Sequence, residues 1–138
     1  MRQRVIGLAL LTVAACRSME TTKTMTWDDV ARKALQELSA KERETGAVYL
    51  DENEIQAGSS LKVDGADIPV RHRSAMVFVD REPQVNWGHS SRYLLIDLDS
   101  GNVVSHEAQF PPFLRGVPKT LRLIHKGAGV PDWAIAKP

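Results

Sequence analysis

Apolar residues recur along the chain with two different spacings, which separate a helical part from a strand-rich part. Between residues 27 and 38 they fall on one face of a helix: Trp27, Val30, Ala31, Ala34, Leu35 and Leu38. Thr26 is placed to cap this helix, with Asp29 as the acidic partner of a capping box. The pattern predicts a helix that begins after Thr26, frays through residues 41–44 and ends near Gly46.

Beyond Gly46, short runs of β-branched and aromatic residues alternate with turn formers, which predicts antiparallel strands. We expect a hairpin turn at 64–67, and Gly101 should supply a positive φ in the turn before the last strand. Two forms of that turn differ by one residue, so either Leu94, Ile96 and Leu98 or Tyr93 and Leu95 face the main core. The predicted strands are Ala47–Leu50, Leu61–Val63, Ile68–Val70, Ala75–Asp80, Arg92–Leu98 and Val103–Gln109.

The C-terminal part has a weaker pattern. Its apolar residues over 114–124 fit either a short helix or an edge strand, and we expect an irregular tail in which Trp133 and Ile135 fold back to pack. One helix followed by an antiparallel meander predicts an α+β domain with the sheet packed on the helix, as in cystatin-like folds.

Two segments together resemble the PepSY family of small secreted domains. They are the helix Trp27–Leu38 and the unit Tyr93–Val104, which is similar to that family's strand, Asp-x-x-(Thr or Ser)-Gly turn and returning strand. Residues 49–70 depart from the compact module of the family. The resemblance implies a non-enzymatic role in binding or in modulating a peptidase, without transferable catalytic residues.

The N-terminus has the pattern of a secretory signal that ends at a cysteine. Arg2 and Arg4 precede an apolar run that is too short to span a bilayer, and two small residues precede Cys16. This arrangement resembles a bacterial lipobox, which implies acylation of Cys16 and cleavage before it. The alternative is an ordinary signal peptide in which Cys16 is incidental. By resemblance to enterobacterial lipoproteins, Arg17 favours the outer membrane in a cell with two membranes.

This interpretation divides the chain into a signal peptide at 1–15, a lipidated cysteine with a flexible spacer at 16–25, and one domain at 26–138. Cleavage would remove two basic residues and no acidic one, changing the formal charge from +1 to −1. That balance does not indicate a nucleic-acid binder. Cys16 is the only cysteine, so a lipidated chain has no thiol left for catalysis, for metal or for a disulfide.

Chemically capable side chains are densest at residues 86–93, Asn-Trp-Gly-His-Ser-Ser-Arg-Tyr. We expect a loop that leads into a strand, a position from which binding residues are often presented. Trp87 would be the apolar anchor, His89 and Arg92 would make polar contacts, and Tyr93 would add an aromatic edge. Alternatives are a purely structural loop or catalysis by His89 with Ser90 or Ser91, although no nucleophile elbow is present.

Metal and cofactor signals are weak. The histidines show no metal-ligand spacing, and phosphate-binding glycine loops are absent. A folded cluster of His72, His89 and His106 with Asp80 or Glu107 is an open alternative. Acidic residues over 51–67 lack the ligand order of a calcium loop and are expected to form a solvated face. The sequence predicts no metal site and no cofactor.

Three function classes follow. The first is a membrane-anchored envelope lipoprotein with a non-catalytic domain that binds a protein, peptide or envelope component, in one form by inhibiting a secreted hydrolase. The second is a small envelope hydrolase or metal-binding protein that uses His89. The third is a structural envelope component. The sequence does not indicate the partner or the oligomeric state.

Overall fold

A computed structural model describes residues 23–138, which form an α+β fold around one antiparallel sheet. The helices α1 (Trp27–Gln36) and α2 (Ala40–Thr45) precede all the strands, although α1 is not at the N-terminus of the chain. The strands are β1 (Ala47–Ile55), β2 (Ser60–Val63), β3 (Ala66–Pro69), β4 (Ser74–Asp80), β5 (Ser91–Asp97), β6 (Val103–Ala108) and β7 (Leu121–Lys126). A 3₁₀ turn follows at Asp132–Ala134.

The predicted start of α1 is confirmed, but its predicted end is wrong. The Asp29 amide N–H donates to Thr26 Oγ1 at 3.2 Å, and the Thr26 N–H donates to the Asp29 carboxylate at 3.0 Å. The expected frayed end is instead the separate helix α2. Its own capping box joins Ser39 and Glu42 in the same reciprocal way, so local hydrogen bonding restarts the helix after a break.

The sheet has the strand order β6-β5-β4-β1-β7. Its β4-β5-β6 part is the predicted meander. The predicted hairpin is confirmed as β2 and β3, but these strands pair only with each other and lie outside the five-stranded sheet, which a single meander does not predict. The C-terminal part contributes the edge strand β7, which pairs with β1 and is one of the two alternatives left open by its apolar pattern. The irregular tail therefore begins later than expected. The hairpin turn is also tighter than expected, because Asp64 and Gly65 both have positive φ, as a two-residue turn of type I′ requires. Gly101 has the predicted positive φ of 74°.

Each face of the sheet carries a cluster of buried residues, which settles the register that the sequence left open. Leu94, Ile96 and Leu98 face α1, whereas Tyr93 and Leu95 face the opposite side. That second side is covered by the β2–β3 hairpin and by C-terminal residues. Residues 25–136 supply both layers of this core, so the segment 23–138 should fold without the first 22 residues.

The C-terminal residues follow the predicted return only in part. Ile135 and Ala136 pack on the second face, and the Ala136 N–H donates to the Tyr49 hydroxyl at 3.0 Å. Trp133, in contrast, is 72 % exposed, so the prediction that it packs is wrong.

Two ends of the sheet matter for function. One end, where β5 finishes, is called the entry end because the chain from residue 23 joins the sheet there. At the entry end the Met25 N–H donates to the Leu98 carbonyl at 2.8 Å, and the Thr24 hydroxyl accepts from Arg73 at 2.9 Å. The last two residues of the predicted spacer therefore belong to the fold. At the far end β5 begins at Ser91, directly after the loop of residues 81–90. Seven residues of β5 separate the two ends by about 20 Å.

Candidate functional site

The loop of residues 81–90 is held on both sides by hydrogen bonds. The His89 backbone N–H donates to the Gln109 carbonyl at 2.9 Å, which ties the loop to the end of β6. The Ser90 N–H donates to the Glu82 carboxylate at 3.1 Å, and the Arg81 N–H donates to the Ser90 carbonyl at 3.3 Å. These contacts give the loop a defined position at the far end of the sheet.

The His89 side chain is held inside the loop by two acceptors. Its Nε2 lies 2.8 Å from Asp80 Oδ1, and its Nδ1 lies 2.6 Å from the Trp87 carbonyl oxygen. Burial alone would lower the pKa of His89, but the hydrogen bonds to the Trp87 carbonyl and the Asp80 carboxylate outweigh it and raise the pKa above 6.5. Only the doubly protonated ring can donate to both acceptors at once.

This arrangement stabilises the fold in a pH-dependent way. Because the pKa of His89 is raised on folding, its contribution is complete below the ordinary histidine pKa of about 6.5 and is lost as the pH rises through the folded-state value. His89 thus acts here as a brace between Asp80 and the loop backbone.

Neither Ser90 nor Ser91 is arranged with His89 as a nucleophile and its base. Both His89 nitrogens are engaged, so neither is free to take a proton from a hydroxyl. Ser90 Oγ accepts a hydrogen bond from Arg81 at 3.1 Å, and the Ser91 side chain is buried. No hydrogen bond joins a serine to a histidine side chain within residues 23–138.

Arg92 was expected to contact a partner, but it is a structural residue. Its Nε and Nη2 donate to the two carboxylate oxygens of Glu42 at 2.9 Å and 2.8 Å, and Nη2 also donates to the Glu37 carbonyl at 2.8 Å. Arg81 Nε reaches the same Glu42 carboxylate at 2.8 Å. The guanidinium of Arg92 therefore joins β5 to α2 and is removed from the contact surface.

Glu42 is the residue that the sequence reasoning missed. It is 4 % exposed, and it accepts from both arginines and from the Ser39 backbone. Burial alone would raise the pKa of Glu42, but the hydrogen bonds from Ser39, Arg92 and Arg81 lower it to about 2. The Ser-x-x-Glu spacing at residues 39–42 was a readable signal for the second helix start.

Tyr93 was expected to present a second aromatic edge, and this expectation is wrong. Tyr93 is buried in the second core, where its ring meets Phe78 edge to face with the centroids 5.2 Å apart. Its hydroxyl donates to the Phe110 carbonyl at 2.8 Å, and burial raises the pKa of that hydroxyl. Strand alternation turns Tyr93 inward because Arg92 faces α2.

Trp87 lies at the surface of the loop and is 75 % exposed. Its neighbour Gly88 packs on the Phe110 side chain so closely that a Cβ at this position would lie 2.9 Å from the ring. Phe110 itself is partly exposed, and Asp64 fixes its backbone by accepting from the Phe110 N–H at 3.1 Å. The residue that follows Trp87 is therefore fixed against a second exposed apolar side chain, Phe110.

The histidines of the possible cluster lie in different places, and the acidic residues of the expected solvated face form separate ion pairs. His89 is braced in its loop, whereas His72 and His106 line a groove on the second face of the sheet. Among the residues that the structure describes, no three His, Cys, Asp or Glu side chains are grouped so as to hold a metal ion. The acidic side chains are paired individually, as in Glu52 with Arg122, Glu54 with Arg73 and Asp67 with Lys62.

Comparison with known proteins adds no family: no family model, no curated protein and no solved structure matches the chain. No helix within residues 23–138 is long and apolar enough to cross a membrane. Cys16 and the signal-like segment lie outside the described residues.

Proposed function

We propose that the chain is a lipid-anchored protein of the bacterial envelope whose domain binds a protein, peptide or envelope component without catalysing a reaction. Acylated Cys16 would hold it on the membrane, which is the outer membrane if the cell has two. The helix-on-sheet arrangement fits the cystatin-like layer that the sequence pattern predicts, and the resemblance to PepSY domains implies a binding or peptidase-modulating role. Trp87 would be the centre of the contact surface.

The exposure of Trp87 is the observation that carries this proposal. Tryptophan is enriched among the residues that dominate binding energy at interfaces, and exposing its large apolar surface in the free protein is unfavourable. The braces at His89 and Gly88 fix the loop before any partner arrives, so binding costs little ordering entropy. Phe110, which packs on Gly88, is a second exposed apolar side chain at this end.

The position of Trp87 also favours a partner over the membrane itself. The spacer from Cys16 joins the domain at the entry end, where Met25 contacts Leu98. Trp87 lies at the far end, about 20 Å away along β5. A domain tethered at one end presents its opposite end away from the bilayer, so this contact surface faces the surrounding envelope space.

The state of His89 supports a non-enzymatic role. A catalytic base needs a free nitrogen within reach of the proton that it removes. In this loop both nitrogens bind acceptors of the fold, and Arg92, the other candidate polar group, is committed to Glu42. The far end thus offers an apolar contact with few free reactive groups.

Affinity capture with the segment 23–138 from an envelope extract tests the proposal. We expect Trp87→Ala to reduce recovery of the bound partner at least about tenfold, because truncating a central tryptophan costs about 2 kcal/mol or more. Trp133→Ala is the matched control, since Trp133 is equally exposed and should leave recovery unchanged. Equal recovery by Trp87→Ala and the unmodified segment, or equal loss in both variants, contradicts the proposal.

A further inference from the structure

A groove of about 550 Å³ lies on the second face of the sheet, away from Trp87. Its floor is formed by Leu95 of β5 and Val104 of β6. One wall is formed by Ile68 of β3 and by Val70, which follows β3. Val104 is 55 % exposed although it lies on the floor. The β2–β3 hairpin covers the middle of this face and leaves the β5–β6 side as an apolar trough.

The wall of the groove is poorly suited to pairing with a peptide strand. The Val70 N–H donates to the Ser59 carbonyl at 2.9 Å, so the backbone of Val70 is turned toward β2. Because backbone groups alternate along a strand, those of Pro69 are turned toward the groove. Proline has no N–H to donate, and its presence at an edge is a common protection against strand addition. This wall therefore suits a ligand that has no backbone amide groups to pair.

The mouth of the groove carries an arginine without an ion-pair partner among the residues that the structure describes. Arg71 and His72 are exposed there, and Arg71 forms no ion pair with any residue of the described segment 23–138. Asp97 also lines the groove, but its carboxylate accepts from the backbone N–H groups of Asp99 and Ser100 at 2.8 Å and 3.0 Å. His72 Nδ1 lies 4.0 Å from the same carboxylate, so Asp97 faces His72. The Arg71 guanidinium is therefore the charge at the mouth that has no ion-pair partner within residues 23–138.

The location of the groove is consistent with a lipid ligand. It is lined at one end by Ser74 and Asp97, which lie at the entry end of the sheet near Met25. If Cys16 is anchored as proposed above, this is the end of the domain closest to the bilayer. Only this position relative to the bilayer rests on the proposed anchor, since the apolar lining and the exposed Arg71 do not depend on it.

We propose that this groove binds an anionic single-chain lipid, with the acyl chain over Leu95 and Val104 and the head group at Arg71. Burial of the chain against the apolar floor supplies the affinity, because it removes methylene groups from water. The guanidinium of Arg71 supplies the preference for a negative head group. The site is separate from the Trp87 surface in position and in ligand chemistry.

Calorimetric titration of the segment 23–138 with monomeric dodecanoate tests this site. We expect saturable binding of one dodecanoate per chain and at least about fivefold weaker binding of dodecyltrimethylammonium, which has the same chain and the opposite charge. Val104→Glu should weaken dodecanoate binding at least about tenfold, since it buries an unpaired carboxylate beside the chain. Arg71→Glu should weaken it about fivefold.

Two controls separate this site from other surfaces. Arg115→Glu removes an exposed basic charge outside the groove and should leave dodecanoate binding unchanged, and so should Trp87→Ala, which tests the proposed partner surface instead. The proposal is overturned by non-saturable uptake, by equal affinity for both head groups, or by unchanged binding in Val104→Glu. It is also overturned if an extended valine-rich peptide binds and dodecanoate does not.

Discussion

Replacing Glu42 with Gln should lower the free energy of unfolding by about 3 kcal/mol, because it leaves two arginines without their shared buried counter-ion. The carboxylate is nearly inaccessible and is the common acceptor of Arg81 and Arg92, which connect β4 and β5 to α2. An amide of the same shape keeps the packing but removes the charge. Urea denaturation of the segment 23–138 measures the change.

Glu107→Gln is the matched control for this prediction. Glu107 also pairs with Arg81, but its side chain is 69 % exposed, so we expect a loss below about 1 kcal/mol. Comparable losses in the two variants, or a loss below about 1 kcal/mol in Glu42→Gln, would show that burial of the ion pair contributes little.

Glu42 should also make the free energy of unfolding sensitive to acid. The pKa of Glu42 is lowered on folding from 4.5 to about 2, so its contribution is complete above pH 4.5 and is lost as the pH falls toward 2. Across that interval, the stability of Glu42→Gln should fall less steeply with decreasing pH than that of the unmodified segment.

Replacing Gly127 with Ala should destabilise the fold by about 3 kcal/mol through overpacking. Gly127 follows β7 and lies directly against the end of α2, and its N–H donates to the Gly46 carbonyl at 2.9 Å. A Cβ at this position would overlap the Glu44 carbonyl group. It would lie 2.5 Å from the Glu44 carbonyl carbon and 2.9 Å from the Thr45 nitrogen. Because these neighbours are backbone atoms, they can move only by separating β7 from α2.

Gly129→Ala provides the control two residues further on. Its nearest contact, the Glu44 carbonyl oxygen, would lie 3.4 Å from the new Cβ, so we expect a change within about 1 kcal/mol. Thermal unfolding of both variants would compare them. A Gly127→Ala variant as stable as Gly129→Ala would mean that the approach of β7 to α2 is looser than described.

Features specified by neighbouring residues could be predicted from the sequence. The capping box of Thr26 and Asp29 lies within one turn, and the positive φ of Gly101 is a property of one short turn. The register of β5 was undetermined because its residues are apolar on both faces of the strand. A sheet that is covered on both sides lacks the alternation that distinguishes inside from outside.

The candidate site was predictable only where exposure follows from loop position. Trp87 is exposed as a loop residue, but Arg92 and Tyr93 were misjudged since strand alternation directs one toward α2 and the other into the second core. The partner of Arg92 is Glu42, fifty residues earlier in the chain, and no local pattern links the two. The groove arises because the β2–β3 hairpin is not part of the five-stranded sheet. The spacing of strands along the sequence does not specify that separation.

Photo-crosslinking from position 87 tests whether Trp87 contacts an envelope component while the chain is anchored through Cys16. The full-length chain, with a benzoylphenylalanine at position 87 and Cys16 retained, would be irradiated in cells and compared with a chain carrying the same group at position 133. We expect a discrete adduct with an envelope component from position 87 but not from position 133. We also expect the crosslinked chain to carry a metabolic acyl-chain label. The absence of an adduct at position 87, or the same adduct from both positions, would contradict the proposed contact.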